Sequence, residues 1–312
     1  MIKLISMQQD VSYYGMALAA SDTGLLAIAY SKTGLNYGVD IYKCTKYTCI
    51  LMNKITIEGV SRTPYHLHLA LSSDGRYLYC GTSSKDSKLI LFNLNTDGEV
   101  INKQDLSNIK GFINDTPITA IAITPNMSQI AFGFNMEKVG IYNINENGLL
   151  TDKGVVLYER HRNDFFGASL AFIDNETLLV GNPSLSFERE PAYLYRYTKI
   201  NGRFELTGTL EDSSPEHDMF GVSLTRCGIN GQYVLGMADV SKETGPHVYA
   251  KEDTLLKTLN LPTAQGTVKD SCYGISLACG LSSNPFLAIG DMCRLGENGE
   301  SGSVYVLTEG FS

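Results

Sequence analysis

The apolar residues of this chain lie in short runs that recur with a regular period. A first run is found six times, as YGMALAA, YHLHLAL, PITAIAI, FGASLAF, FGVSLTR and YGISLAC. The copies start at positions 14, 65, 117, 166, 220 and 273 and are separated by 51, 52, 49, 54 and 53 residues. Short apolar runs bounded by turn residues are typical of β-strands. A period of about 50 residues indicates a repeat architecture.

Each copy continues with further strands in a fixed order. The second run is apolar on both faces, as in LLAIAY and TLLVGN, and the third has an aromatic residue near its middle, as in VDIYK and AYLYRY. A fourth, more polar strand completes five copies, and the sixth copy lacks it. The N-terminal segment IKLISMQ belongs to no copy. We therefore predict that residues 2–8 supply the outer strand of the last copy.

The pattern predicts an all-β protein with one domain over residues 1–312, a six-bladed β-propeller of four-stranded antiparallel blades. Middle strands that are apolar on both faces fit this fold, because each blade packs between two neighbours. The ring is predicted to close when the N-terminal strand pairs in the last blade, so that two terminal edges become a hydrogen-bonded ladder.

The repeats resemble two known kinds of propeller unit. The copies with FGASLA, LLVGNP and AYLYRY, and those starting at Tyr14, Phe220 and Tyr273, resemble the FG-GAP repeats of integrin α chains. The copies at Tyr65 and Pro117, with HLALSSDGRYLYCG in the first, are similar to YVTN and lactonase-type propeller repeats. These resemblances imply the propeller fold and leave the function open, because propellers carry many functions.

The FG-GAP resemblance implies an acidic calcium loop between the first two strands of a blade. Here those turns read ASDTG, FIDNET, RCGING and CGLSSN, and Asp174 with Glu176 is the nearest remnant. Calcium takes six or more oxygen ligands. We therefore predict no calcium at these turns.

Composition and charge narrow the range of partners. The formal net charge of −8 argues against nucleic acid, because that affinity depends on Lys and Arg. The start MIKLISMQQDVSYYG reads as neither a signal peptide nor a membrane span, so we expect a cytoplasmic or virion- or particle-associated protein without membrane insertion. Seven cysteines without metal-type spacing are predicted to be thiols of a reducing compartment, and pairing of Cys44 with Cys49 is left open.

Candidate binding residues cluster where the inner strands begin. The predicted rim residues are Asp10, Asp115, Asp164, Asp218 and Asp270, together with His161 and His217. Such aspartates form either an acidic collar for a cation or a basic partner segment, or ordinary Asx turns. His66 and His68 point the same way from one strand, but no third metal ligand accompanies them. No catalytic residue, metal or cofactor is predicted.

The leading hypothesis is a non-enzymatic protein-interaction or structural scaffold, within a larger assembly or virion, that binds partner proteins through its rim loops. Those loops, PSLSFEREP, DVSKETGP and MCRLGENGESG, are long and variable, and binding specificity normally resides in such loops. One alternative is a lactonase-type hydrolase at the channel mouth. Another is a carbohydrate-binding lectin or adhesin, whose tyrosines replace the absent tryptophan against a glycan.

Overall fold

A computed structural model of the chain describes residues 1–5, 11–32, 36–58, 67–83, 88–108, 116–135, 137–151, 154–158, 165–183, 191–212, 219–228, 230–237, 245–260, 272–295 and 301–311. All regular elements in these ranges are β-strands. No helix with the length and apolarity needed to cross a lipid bilayer occurs among them.

The strands fall into six groups, each a blade. The N-terminal strand is β1 (Ile2–Leu4). Blade 1 contains β2 (Val11–Ala20), β3 (Leu25–Lys32), β4 (Asn36–Cys44) and β5 (Cys49–Ile57). Blade 2 contains β6 (Leu67–Leu71), β7 (Tyr77–Thr82), β8 (Leu89–Leu94) and β9 (Val100–Asp105). Blade 3 contains β10 (Ile118–Ile123), β11 (Gln129–Phe134), β12 (Lys138–Asn143) and β13 (Val155–Tyr158).

The second half of the chain repeats this order. Blade 4 contains β14 (Ser169–Phe172), β15 (Thr177–Asn182), β16 (Ala192–Ile200) and β17 (Arg203–Asp212). Blade 5 contains β18 (Ser223–Arg226), β19 (Tyr233–Gly236), β20 (His247–Tyr249) and β21 (Leu255–Thr258). Blade 6 contains β22 (Ser276–Gly280), β23 (Phe286–Leu295) and β24 (Ser301–Leu307), and it takes β1 as its fourth strand.

Consecutive strands within each blade pair antiparallel, and the blades form a ring. The innermost strands contact one another in the cyclic order β2, β6, β10, β14, β18, β22 and back to β2. The predicted all-β, six-bladed propeller is therefore confirmed. In blades 4 to 6 the inner strand begins three residues after the predicted start, because the FG or YG pair forms a turn with a positive-φ glycine.

Ring closure takes place in blade 6. Strand β1 pairs antiparallel with β24, with Ile2 opposite Val306 and Leu4 opposite Val304. This confirms the predicted outer strand over Ile2–Leu4, while positions 6–8 of that prediction lie outside the described residues. A parallel bridge from Tyr14 to Gly302 also joins blade 1 to blade 6. Gly302 has φ +94°, and a Cβ there would lie 2.2 Å from the Tyr14 carbonyl oxygen, so only glycine fits this junction.

The core lies between the blades rather than in one central mass. Middle strands are buried along their length, as in Leu25–Tyr30 of β3 and all of β15. Buried side chains form one cluster at each of the six contacts between neighbouring blades, such as the one in which Phe132 of blade 3 packs with Tyr79 of blade 2. Each blade is thus covered on both faces, which explains why the middle strands lack polar alternation.

Hydroxyl groups connect successive inner strands in four of the six blades. In each case a Ser or Thr donates to the carbonyl of the FG-type glycine in the next blade. The pairs are Thr119 to Gly167 (3.0 Å), Ser169 to Gly221 (2.5 Å), Ser223 to Gly274 (2.7 Å) and Ser276 to Gly15 (2.6 Å). These four glycines all have positive φ. The FG motif therefore sets the contact between blades.

The cysteine prediction is wrong for six of the seven residues. Disulfides join Cys44 to Cys49 across the β4–β5 hairpin, Cys227 to Cys279 between blades 5 and 6, and Cys272 to Cys293 within blade 6. Cys80 is the remaining thiol, and burial raises its pKa above the ordinary value. The two longer pairings span 52 and 21 residues, and sequence spacing did not reveal them because folding brings these partners together.

Candidate functional site

The rim residues predicted from sequence lie outside the described residues. They are Asp10, Asp115, Asp164, Asp218, Asp270, His161 and His217. The acidic collar and the Asx-turn alternative therefore both stay predictions. The site is described below from the channel, the faces of the ring and its circumference.

His68 is held by a neighbouring hydroxyl, whereas His66 is outside the described residues. Its Nε2 lies 2.9 Å from Ser83 Oγ, and Ser83 in turn donates to the Ile118 carbonyl of blade 3. Because the Ser83 proton is committed to that carbonyl, the hydroxyl oxygen accepts from a protonated Nε2. His68 thus ties blade 2 to blade 3 beside the channel.

Six aliphatic side chains at equivalent positions narrow the central channel. Each comes from a different inner strand, and each is 5 to 8% exposed. This set, which we call the aliphatic ring, consists of Leu18, Leu69, Ile121, Leu170, Leu224 and Leu277. It lines a cavity of about 460 Å³ on the side where the inner strands begin and another of about 150 Å³ on the side where they end. We call them the upper and lower cavities.

The upper cavity is apolar. Besides the aliphatic ring its walls include Met16, Phe165, Met219, Ile275 and Met292. No Asp, Glu, Lys or Arg belongs to the described lining. Its serines are those that donate to the next blade. Sequence reasoning missed this cavity because its walls come from strands about 50 residues apart, and the one signal was the apolar i, i+2 pairs of the inner strands.

The lower cavity contains an ion pair. Arg226 of blade 5 donates to Asp22 Oδ2 of blade 1 at 3.0 Å, and Asp22 Oδ1 accepts from the Leu281 backbone N–H of blade 6 at 3.0 Å. Both side chains are partly exposed. The two ends of the channel therefore differ in chemistry, with charged groups below the aliphatic ring and apolar groups above it.

Asp174, the remnant of a calcium loop, is used for contacts within the ring. Lys251 of blade 5 donates to its Oδ2 at 2.7 Å, and the Glu176 backbone N–H donates to its Oδ1 at 2.9 Å. Burial acts to raise the Asp174 pKa, but the hydrogen bonds outweigh it and hold the pKa below the ordinary value. In the part of the chain described, no group of three or more His, Cys, Asp or Glu side chains is arranged to hold a metal ion.

A buried carboxyl group lies near the closure of the ring. Asp40 is 3% exposed, and its Oδ1 accepts from Tyr30 Oη at 2.9 Å. Tyr14 Oη lies 3.5 Å from Oδ2 and 3.0 Å from Tyr42 Oη. Burial raises the pKa of Asp40 despite these hydrogen bonds. This network supports Tyr14, whose backbone bridges to blade 6.

Exposed apolar side chains concentrate on the outer strands. Ile50 (58% exposed), Leu51 and Met52 lie on β5, and Ile101 (70% exposed) with Val100 lies on β9 of the next blade. Asn53 Nδ2 donates to the Gly98 carbonyl at 3.3 Å and joins the two blades there. Together with Tyr47 in the β4–β5 turn, these side chains form what we call the outer patch: Tyr47, Ile50, Leu51, Met52, Val100 and Ile101.

An aromatic groove lies between the outer parts of blades 3 and 4. Its volume is about 750 Å³, and its lining includes Tyr158, Tyr193, Phe204 and Glu205. The four-residue β13 faces the ten-residue β17, so the shorter strand leaves part of blade 4 uncovered. Tyr158 is 65% exposed at its edge.

Comparison with known proteins identifies the fold. No protein-family model matches the chain, and no curated protein sequence does. The β-propeller domain of Cps50 (Swd1) from Myceliophteria thermophila is 13% identical, covers 97% of this chain and all of that one, and has a TM-score of 0.57. A luciferin-regenerating enzyme is 10% identical, covers 99% of this chain and 95% of that one, and has a TM-score of 0.59.

Raptor from Chaetomium thermophilum is 10% identical over 92% of this chain, which spans 23% of Raptor, with a TM-score of 0.51. At these identities the likeness concerns fold alone. The FG-GAP and YVTN resemblances stay predictions. The comparisons and the cyclic order of the blades lead to the same conclusion: the chain folds as a β-propeller.

Proposed function

We propose that the protein is a non-enzymatic scaffold that binds a partner protein through the circumference of its ring. The outer patch is the observation that carries this proposal. Its six apolar side chains lie together on neighbouring blades, whereas apolar residues exposed singly are ordinary. A contiguous exposed apolar patch typically marks an interaction site.

The outer strand of blade 1 offers backbone groups as well as side chains. Strand β5 is nine residues long and, within the described residues, pairs only with β4. An edge strand of this length presents unpaired N–H and C=O groups, to which an extended segment of another protein can add as a further strand. We propose that the partner binds to this edge and covers the outer patch.

Rigidity of the ring favours such binding. The hydroxyl-to-glycine hydrogen bonds, the β1–β24 pairing and the Cys227–Cys279 disulfide fix neighbouring blades to each other. A surface that is already ordered loses little conformational entropy on binding. We propose that the protein acts within a larger assembly, a virion or other particle among them, because a partner that stays bound also protects an apolar edge from aggregation.

The proposal is tested with a photo-crosslinking amino acid at Tyr47 in the protein expressed in its source. The crosslinked partner is identified by mass spectrometry, purified and titrated against the wild type and against Ile50→Lys/Ile101→Lys. Loss of central contacts worth about 2 kcal/mol lowers affinity roughly 30-fold. Leu256→Lys, the same change at an exposed position of β21, should bind as the wild type does.

Equal affinity of the Ile50→Lys/Ile101→Lys variant and the wild type would contradict the proposal. So would failure of the purified partner to bind the wild-type ring. The predicted rim loops are tested in the same titration by exchanging PSLSFEREP for a glycine-serine segment of equal length. A loss of binding confined to the loop exchange would move the partner site to the rim.

Glycan binding is a second candidate, favoured by the aromatic groove between blades 3 and 4. Aromatic rings beside a carboxylate and hydroxyls are suited to stack on a sugar and to hydrogen-bond it. A glycan array should give signals that Tyr158→Ala abolishes and Tyr47→Ala retains. Equal signals from both variants would contradict this function. The lactonase-type alternative depends on rim residues outside the described ranges and stays a prediction, tested by metal analysis and a lactone hydrolysis screen.

A further inference from the structure

We propose that the upper cavity of the channel is a binding site for one neutral, apolar small molecule. This site is separate from the outer patch and does not depend on the scaffold proposal. Its volume of about 460 Å³ falls within the range of about 300 to 1,000 Å³ in which proteins bind small ligands.

The walls of the upper cavity are suited to apolar ligands of varied shape. Met16, Met219 and Met292 bring three thioethers into the lining, and Phe165 adds an aromatic ring. Methionine side chains are unbranched and polarisable, so they adapt to the shape of what they contact. An apolar cavity too large for its own side chains to fill gains dispersion contacts when a hydrocarbon enters it.

The floor of the upper cavity is narrow. The aliphatic ring belongs to the lining of both cavities, and the cavity below it measures about 150 Å³ and contains the Asp22–Arg226 ion pair. An apolar molecule in the upper cavity therefore meets side chains of its own polarity as far as the ring and charged groups beyond it. This arrangement favours holding a ligand above the ring over passing it through the channel.

The lining also defines the charge of the ligand. None of the described wall residues carries a carboxylate, an ammonium or a guanidinium group. An ionised ligand group would lose its hydration without gaining a partner, at a cost of several kcal/mol. Ser169, Ser223 and Ser276 already donate their protons to backbone carbonyls. The hydroxyl oxygens remain acceptors, which a neutral ligand with one O–H or N–H group can use.

The test uses the full chain and N-phenyl-1-naphthylamine, a neutral probe whose fluorescence rises in apolar surroundings. We expect saturable binding of one probe per chain. The neutral alcohol 1-decanol should displace it, and decanoate at pH 8 should do so at least tenfold less effectively. Equal displacement by decanoate would overturn the assignment to neutral ligands, and absence of saturable binding by the folded wild type would overturn the site.

Two variants show where the probe binds. Val222→Phe fills the upper cavity, and Thr225→Phe makes a comparable enlargement below the aliphatic ring in the lower cavity. We expect the first to weaken probe binding at least tenfold and the second to leave it within twofold, provided circular dichroism shows both variants folded. Ala168→Leu fills the upper cavity from blade 4 and serves in place of Val222→Phe if that variant does not fold. Loss of binding in Ile50→Lys/Ile101→Lys instead would place the probe on the outer patch and overturn the proposal.

Discussion

The Asp40 carboxyl group is a polar residue that the ring buries at its closing junction. It accepts a hydrogen bond from Tyr30 and lies near Tyr14, the residue that bridges to Gly302. Burial nevertheless raises its pKa, so the folded protein holds this proton more tightly than the unfolded chain does. Stability therefore falls as pH rises from the ordinary Asp pKa through the raised one.

This linkage predicts the behaviour of Asp40→Asn. The amide cannot ionise, so we expect the variant to have a higher free energy of unfolding than the wild type at pH 7. The difference should shrink as pH falls below about 4, because the wild-type carboxyl is then neutral in both states. Urea unfolding at a series of pH values measures this difference.

Asp97→Asn, at an exposed turn position, is the matched control and should follow the wild-type curve closely. A destabilisation of Asp40→Asn by the same amount at every pH would contradict the prediction. It would mean that hydrogen-bond geometry, rather than the charge of Asp40, governs the stability of this network.

Single residues were only partly predictable from the sequence. The FG glycines were identifiable as packing signals because they recur in register, and the structure adds their positive φ and their carbonyl contacts to the next blade. The serines that donate to those carbonyls, such as Ser223, read only as small residues near the axis. Their hydrogen bonds join residues 51 or more positions apart, so no local pattern reveals them.

At the scale of elements, β1 shows how a short strand stabilises a large ring. Ile2 and Leu4 lie on one face and pack against the cluster between blades 6 and 1, while Lys3 points away from it. Replacing both apolar residues in Ile2→Thr/Leu4→Thr should cost about 2 to 4 kcal/mol of unfolding free energy, since fully burying one such side chain contributes about 1.5 to 3 kcal/mol.

Lys3→Thr is the control for β1, because its side chain is exposed on the opposite face. Urea denaturation of the two variants should separate them clearly. If Ile2→Thr/Leu4→Thr unfolds at the same urea concentration as Lys3→Thr, the N-terminal strand does not hold the ring closed and the stability resides in the other blades.

Elements were the part of the structure that the sequence revealed best. Period-2 and fully apolar runs are local signals, and six copies in register confirm one another. The strand starts in blades 4 to 6 were three residues early, because an apolar Phe or Tyr before glycine looks like strand in sequence and forms a turn in the fold. The upper cavity was not predictable, since it exists only after six such strands meet.

At the scale of the whole molecule, the disulfides fix blades relative to one another. Cys227–Cys279 closes a span of 52 residues between blades 5 and 6, and Cys44–Cys49 closes one of 5 residues within a hairpin. Loop-closure entropy predicts a loss of about 4 kcal/mol on removing the first and about 2 kcal/mol on removing the second. Thermal unfolding of Cys227→Ser/Cys279→Ser and Cys44→Ser/Cys49→Ser tests this order.

Equal losses in the two variants would show that the inter-blade disulfide adds no constraint beyond that of a hairpin. Disulfides of this kind persist in oxidising surroundings. The cytoplasmic or particle-associated location stays a prediction, and the oxidation state of these cysteines in protein isolated from its source tests the reducing-compartment part of it.

The pairing of β1 with β24 also has a consequence for the order in which the protein matures. Ile2 finds its partner at Val306, about the whole length of the chain away. During synthesis the early blades emerge first, yet β1 stays without its partner strand until the last blade has left the ribosome. Closure is therefore the final step of folding, and a ribosome that stalls before residue 301 releases an open arc with apolar blade faces exposed to chaperones.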